Sequence, residues 1–301
     1  MRVIRVGKRS GREFYLDLGV RTRIGDMAAV RLWLASWRQT YPKARLTICF
    51  DERQHAHRYS KSIPLDWALA PYVDELWITG EAEPGRHLLP AGVELTNFIN
   101  RSSPVYCYLW KWWGTGGRKY AAERGRPELT LAPQAVDAAF QCLEKNKVTT
   151  KFIAVQPLWD ARYHLYRNAP REWWVGLVRS LVNLDLTTVV LGDAAVMGSV
   201  EWHPRAYPIY SNVYNSLAIG GLASVFVGGE TGLPLWASLL GVPVAATLRH
   251  WRLDWKSGDD FRPLSFGSSV VHVPLNGSPE HAAVEIERLY NNRGTVVSTP
   301  P

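Results

Sequence analysis

Cysteine is scarce in this sequence: it holds three, Cys49, Cys107 and Cys142, widely spaced and without a CxxC pair. That excludes a disulfide scaffold and a structural zinc site, and predicts reduced, small, buried thiols in a cytoplasmic protein. No apolar run approaches the roughly 18 residues of a membrane span, so no transmembrane segment is expected. The opening MRVIRVGKRSGREF has neither the apolar stretch nor the small-residue cleavage site of a secretory signal, and none is expected. Internal repeats and low-complexity tracts are missing too. Both nucleotide fingerprints are incomplete: the full GxGxxG does not occur where a strand meets a helix, and GTGGRK (114–119) has no Ser or Thr after Lys119 to make a Walker A loop.

What is present describes a globular protein. Hydrophobic residues make up 47% and charged residues 21% of 301 residues, enough chain for two α/β domains of about 150 residues each. The net charge of +8 favours acidic partners: nucleotide phosphates, nucleic acid, or an anionic membrane surface touched peripherally. The 14 tryptophans suit either large core area or a site for planar or sugar rings.

Strand-like and helix-like stretches alternate, the pattern of an α/β architecture with mostly parallel sheets. MRVIRV and EFYLDLGV read as strands. A helix is predicted from about Asp26 to Tyr41, with Val30, Leu34, Trp37 and Tyr41 on one face, and Pro42 ends it. The next strand is Ala44–Phe50, and Pro133–Lys145 is a further helix with proline in its first turn. The polar stretch KNKVTT after it is the predicted domain boundary, dividing the chain into 1–148 and 149–301. KFIAVQPLW then opens a second α/β unit, followed by a helix Pro170–Leu184 and the strand TTVVLGD. LASVFVGGETGLPLWASLLGVPVAAT gives strand, glycine-rich turn, helix and strand, and Ser278-Pro279-Glu280 starts a last helix with a capping serine. Two such domains imply a cleft between them, where ligands bind.

Three constellations carry chemistry. Arg23-Ile24-Gly25-Asp26 sets a glycine and an acid where a strand gives way to a helix, a place suited to anions; Asp26 is equally suited to be a plain N-cap. Val227-Gly228-Gly229-Glu230-Thr231-Gly232-Leu233 is again strand, glycine turn and helix. Its amides at Thr231, Gly232 and Leu233 suit a diphosphate, or the turn is only a tight connection. Arg167-Asn168-Ala169-Pro170 places a planar guanidinium before a helix start, either to meet a phosphate or as solvated surface.

In this order the three pieces resemble the heptosyltransferase family (glycosyltransferase family 9). RIGDMAAVRLWLASWRQTYPKARLTICF is similar to that family's opening, with Gly-Asp leading into a helix and Tyr-Pro-x-Ala before the second strand. QPLW…RNAPREWWVGLVRSL…TTVVLGD resembles the start of its donor domain. GGETGLPLWASLLGVPVAAT resembles its Asp-Ser/Thr-Gly-x-x-His turn, helix and Gly-x-Pro strand. The likeness covers roughly residues 20–50 and 150–250. It implies an α/β fold of the GT-B type, two Rossmann-like domains facing a cleft, with acceptor bound by the N-terminal domain and nucleotide sugar by the C-terminal one. It further implies Asp26 as general base, Arg167 at the donor phosphates, and Glu230, Thr231, Gly232 and Leu233 at the diphosphate turn. The nucleotide sugar is a co-substrate; no cofactor or metal is implied. Three departures stand out: Glu230 in place of aspartate, Leu235 in place of histidine, and Arg167 in place of lysine.

Outside the resemblance, YCYLWKWWGTGGRK (106–119) interleaves aromatic and basic side chains. Trp110, Lys111, Trp112 and Trp113 suit stacking on an acceptor sugar or base, or packing into a core. Asp51, Glu52, His55 and His57 form a metal-like cluster only superficially, and a solvated loop accounts for them. Arg249, His250 and Arg252 follow the Gly-x-Pro strand, as phosphate ligands or as charged surface. The expected activity is transfer of a sugar from a nucleotide-diphosphate donor, with inversion and without metal, to a hydroxyl of a glycan or of a modified base in DNA. The alternatives are a non-catalytic nucleotide-sugar or nucleic-acid binding protein on the same scaffold, and a nucleotide-sugar epimerase.

Overall fold

The computed structural model describes residues 2–5, 9, 11, 13–17, 28, 31, 34–35, 37–39, 41–51, 72–79, 129, 131–158, 169–198, 200–229, 232–248, 270–274 and 277–292. The chain divides into two compact units, Met1–Pro127 and Glu128–Pro301.

In the first unit, strands β1 (Arg2–Arg5), β2 (Glu13–Asp17), β3 (Arg45–Asp51) and β4 (Glu75–Thr79) form one sheet in the order β1-β4-β3-β2. β2, β3 and β4 run parallel, and β1 pairs antiparallel with β4. Between β2 and β3, the described residues from 28 to 39 are helical, and Ala28, Leu34, Ala35 and Trp37 are buried. Tyr41, expected on that apolar face, is 43% exposed. Its amide still reaches Trp37 O at 3.0 Å, but Pro42 stops the helix here, and the ring lies 5.2 Å from that of Trp37 at the surface end.

Polar residues that no apolar periodicity reveals sit beneath this helix. The Asp74 carboxylate is 1% exposed and meets Arg38 Nη2 at 2.7 Å and Arg9 Nη1 at 3.1 Å. It also accepts from the amides of Leu46 at 2.9 Å and Arg9 at 3.2 Å. Arg38 in turn donates through Nε to Tyr72 O at 2.6 Å and through Nη1 to Ala44 O. One carboxylate thereby joins residue 9, the helix end, the start of β3 and the approach to β4. Burial alone would raise the Asp74 pKa, but the two amides and the two guanidinium charges outweigh it and hold the carboxyl below its usual range. Burial lowers the Arg31 pKa to about 10; its guanidinium lies 5.1 Å from the centre of the Tyr72 ring.

The second unit opens with α1 (Pro133–Lys145), which packs on α4 (Val213–Gly221). KNKVTT, read from sequence as the domain boundary, therefore connects α1 to β5 (Ile153–Gln156) inside this unit. Asn146 caps α1, Lys147 takes a left-handed φ of 60°, and the amide of Val148 returns to Leu143 O at 2.9 Å, burying Val148. A β-carbon in this conformation costs roughly 1–2 kcal/mol, partly offset by the greater chain entropy of glycine. Lys147→Gly is thus expected to raise stability by about 0.5–1 kcal/mol, seen as a melting temperature a degree or two higher. A lower melting temperature would contradict this account of the cap.

After β5 come α2 (Arg171–Asn183), β6 (Thr188–Gly192), α3 (Ala194–Met197), β7 (Tyr207–Tyr210), α4, β8 (Val225–Gly229), α5 (Gly232–Leu239), β9 (Val244–Leu248), β10 (Val270–Pro274) and α6 (Pro279–Asn291). Pro170 is the N-cap of α2 and not its first helical residue, because its ψ of 147° is extended. The six strands form one parallel sheet in the order β10-β9-β8-β5-β6-β7. Counted from β5, this is the doubly wound order 3-2-1-4-5-6.

Both faces of that sheet are covered, which explains the near-continuous apolar runs of its strands. Ile153, Val155, Val190, Val225, Val227 and Ala245 join Trp174, Leu177 and Leu181 of α2 and Ala283 and Ile286 of α6 in one core. A Cβ at Gly176 would stand 3.0 Å from Pro279 Cγ, so glycine lets α2 and α6 approach. Trp173 Nε1 donates to Gly277 O at 3.0 Å just before α6, whose first turn Ser278 caps by accepting from the His281 amide at 3.2 Å. Leu217 and Ile219 of α4 and Leu233 and Trp236 of α5 are buried as well.

Candidate functional site

Where a doubly wound sheet reverses its strand order, the connections leaving the two central strands part to opposite faces and open a crevice at the strands' C-terminal ends. Here the reversal falls between β5 and β8, paired from Ile153↔Val225 to Gln156↔Gly228. β5 leaves through Gln156-Pro157-Leu158, and Trp174 Nε1 fixes the exit by donating to Leu158 O at 3.3 Å. β8 ends in Gly228-Gly229, and α5 begins three residues later at Gly232.

Local sequence explains this compact turn. A Cβ at Gly228 would meet Pro234 Cγ at 3.0 Å and Phe226 Cε1 at 3.2 Å, so the first turn of α5 lies directly against the strand end. Thr247, fully buried on β9, donates from Oγ1 to Gly228 O at 3.3 Å. Within the first turn of α5, Gly232 and Leu233 carry amides without carbonyl partners in the helix, whereas Pro234 has no N–H to offer. Those amides and the helix dipole make a positive end suited to phosphate oxygens. On the neighbouring strand, Gly192 lets α3 close over the end of β6: a Cβ there would be 2.7 Å from Val196 Cγ1.

Of the residues singled out from sequence, the structure sets Gly232 and Leu233 at this turn, with the Leu233 side chain 3% exposed. Glu230 and Thr231 between β8 and α5, Arg167 before α2, Asp26, and the segment with Trp110, Lys111, Trp112 and Trp113 lie outside the described residues. Leu235, where the resemblance would have a histidine, is a core residue 7% exposed. Among the described residues, no three His, Cys, Asp or Glu are gathered as metal ligands, and no helix is long and apolar enough to cross a membrane. Gln156, a polar side chain just before a proline, closes the apolar parallel strand β5 at this crevice.

The second unit is thus a doubly wound parallel sheet whose fourth strand, counted from β5, ends in glycines close to a helix start at the switch point. No protein-family model matches the chain, and a search of curated proteins finds no match. Solved structures do match over nearly the whole length. A glycosyl transferase family 9 protein from Veillonella parvula DSM 2008 is 12% identical with a TM-score of 0.62, over 93% of this chain and 97% of that one. E. coli ADP-heptose LPS heptosyltransferase II is 13% identical with a TM-score of 0.62, over 95% and 100%. E. coli heptosyltransferase WaaC with ADP is 12% identical with a TM-score of 0.54, over 92% and 97%. The fold is therefore the α/β fold of the GT-B glycosyltransferases.

Proposed function

We propose that the protein is an inverting, metal-independent glycosyltransferase that moves a sugar from a nucleotide-diphosphate donor to an acceptor hydroxyl. The observation that carries this reading is the glycine-ended β8 and the first turn of α5 at the switch point of a GT-B sheet. That turn begins a helix at the strand ends, and helix-start amides are of the kind that stabilise a diphosphate. In the reaction, Asp26 takes the proton of the acceptor hydroxyl while its oxygen attacks the anomeric carbon. The bond from that carbon to the diphosphate oxygen breaks, and the departing nucleoside diphosphate carries the negative charge away. The amides of Thr231, Gly232 and Leu233, with Glu230 shaping the turn and Arg167 alongside, offset that charge. Helix dipole and guanidinium here take the part a divalent ion plays elsewhere, so chelator is expected to leave the rate unchanged.

The segment with Trp110, Lys111, Trp112 and Trp113 is proposed to hold the acceptor, a glycan or a modified base in DNA, in an enzyme of the cytoplasm. The net charge of +8 accords with a polyanionic or membrane-associated acceptor, and binding to DNA would weaken steeply with salt. A second reading, a nucleotide-sugar binding protein without turnover, is favoured by one observation: the helix position that would carry a histidine is the buried Leu235.

The test is thermal melting with nucleoside diphosphates and nucleotide sugars, followed by transfer assays with the donor that binds. A ligand at about 100 times its dissociation constant stabilises by roughly 2.7 kcal/mol, a shift of several degrees for a chain of this size. A shift confined to one diphosphate series would name the donor. Absence of any shift at millimolar concentration would remove the donor site, and binding without turnover would favour the second reading.

A further inference from the structure

One polar atom at the switch point, the buried Gln156 Oε1, lacks a hydrogen-bond partner among the described residues. Ile153 and Val155 belong to the core made with α2 and α6, so strand alternation turns Gln156 to the opposite face of the sheet. Its register partner is Gly228, and a Cβ on that residue would point at Pro234 in the first turn of α5. The amide of Gln156 thus shares a face with the turn assigned to the diphosphate, next to a strand position without a side chain. Buried side-chain carbonyls are rarely left without a donor, because each such atom forfeits its hydration for nothing.

We infer that Gln156 is a recognition residue of this site, its side-chain carbonyl accepting a hydrogen bond from a hydroxyl of the bound nucleotide sugar. The inference rests on the proposed nucleotide-diphosphate site and adds a requirement to it: the ligand must present an O–H beside the diphosphate. Two parts of a nucleotide sugar carry such hydroxyls, the ribose and the transferred sugar. An acceptor inside the crevice serves selectivity better than affinity, since a ligand lacking that hydroxyl leaves the carbonyl unpaired and is rejected.

The experiment compares wild type with Gln156→Met, which keeps the length of the side chain and removes its acceptor, and with Gln156→Glu, which keeps an acceptor. Melting temperature without ligand is measured first. Dissociation constants follow for ADP, UDP and GDP, each alone and as its glucose conjugate. Removing an orphan polar atom leaves the free protein as stable as before or more so, whereas a merely structural glutamine would leave Gln156→Met with a lowered melting temperature. For the ligand that wild type binds, the methionine variant is expected to bind roughly 5- to 100-fold more weakly. The glutamate variant should recover part of that loss. Weakening already seen with the nucleoside diphosphate assigns the partner to ribose; weakening seen only with the conjugate assigns it to the transferred sugar. Equal dissociation constants for wild type and Gln156→Met, or a destabilised free variant, would overturn the role of Gln156 and leave the donor site standing. Failure of wild type to bind any of the six ligands would overturn the donor site and this inference with it.

Discussion

Asp26→Asn is expected to slow sugar transfer by about 10²–10⁴-fold, the share that a positioned general base contributes, while donor binding stays nearly intact. The substitution separates the two readings of this residue. Asparagine caps a helix about as well as aspartate, so if Asp26 only caps the helix that follows it, rate and melting temperature both stay where they were. If it accepts the acceptor's proton, the cap survives and the proton acceptor is gone. Transfer then collapses without loss of stability. Equal single-turnover rates for mutant and wild type would take Asp26 out of the mechanism.

The second large effect is on stability. Asp74→Ala leaves the Arg38 guanidinium, 8% exposed, without the carboxylate it meets at 2.7 Å, and strips the acceptor from the Leu46 and Arg9 amides. Breaking one partner out of a buried ion pair costs about 3–5 kcal/mol, so urea unfolding should lose that much for the first unit. The folded-state pKa of Asp74 is depressed. Its contribution is therefore fully present above the unfolded value of about 3.9 and is lost as pH falls through the lower folded value. Wild type and Asp74→Ala should accordingly converge in stability in acid and differ most near neutrality. A difference under about 1 kcal/mol at pH 7 would mean that the pair is no better than a surface salt bridge.

Much of the second unit was legible because its signals are local. The helix Pro133–Lys145, the capping Ser278 ahead of Pro279, and the glycine turn from β8 into α5 each depend on neighbours within a few residues. The doubly wound strand order agrees with the α/β alternation read from sequence, although that alternation does not dictate which strands are neighbours. The first unit was less legible. Arg38 and Asp74 stand 36 residues apart, and a periodicity that scores apolar residues passes over both. Tyr41 met the helical spacing yet lies at the surface, because spacing continues past the point where Pro42 ends the backbone pattern. Gln156 was passed over for a related reason: a single polar residue at a strand end reads as a boundary until the strand's neighbours are known.

The packing of α6 also bears on how the protein is made. Ile153 and Val155 enter the core early in the second unit, but Ala282, Ala283, Ile286 and Leu289, which cover the same face, come more than a hundred residues later. Until those residues leave the ribosome, that face has α2 on it and a bare strip beside it. The first unit can fold during synthesis, as N-terminal domains commonly do. The second remains open to chaperones, and to aggregation, until α6 covers that strip of the sheet.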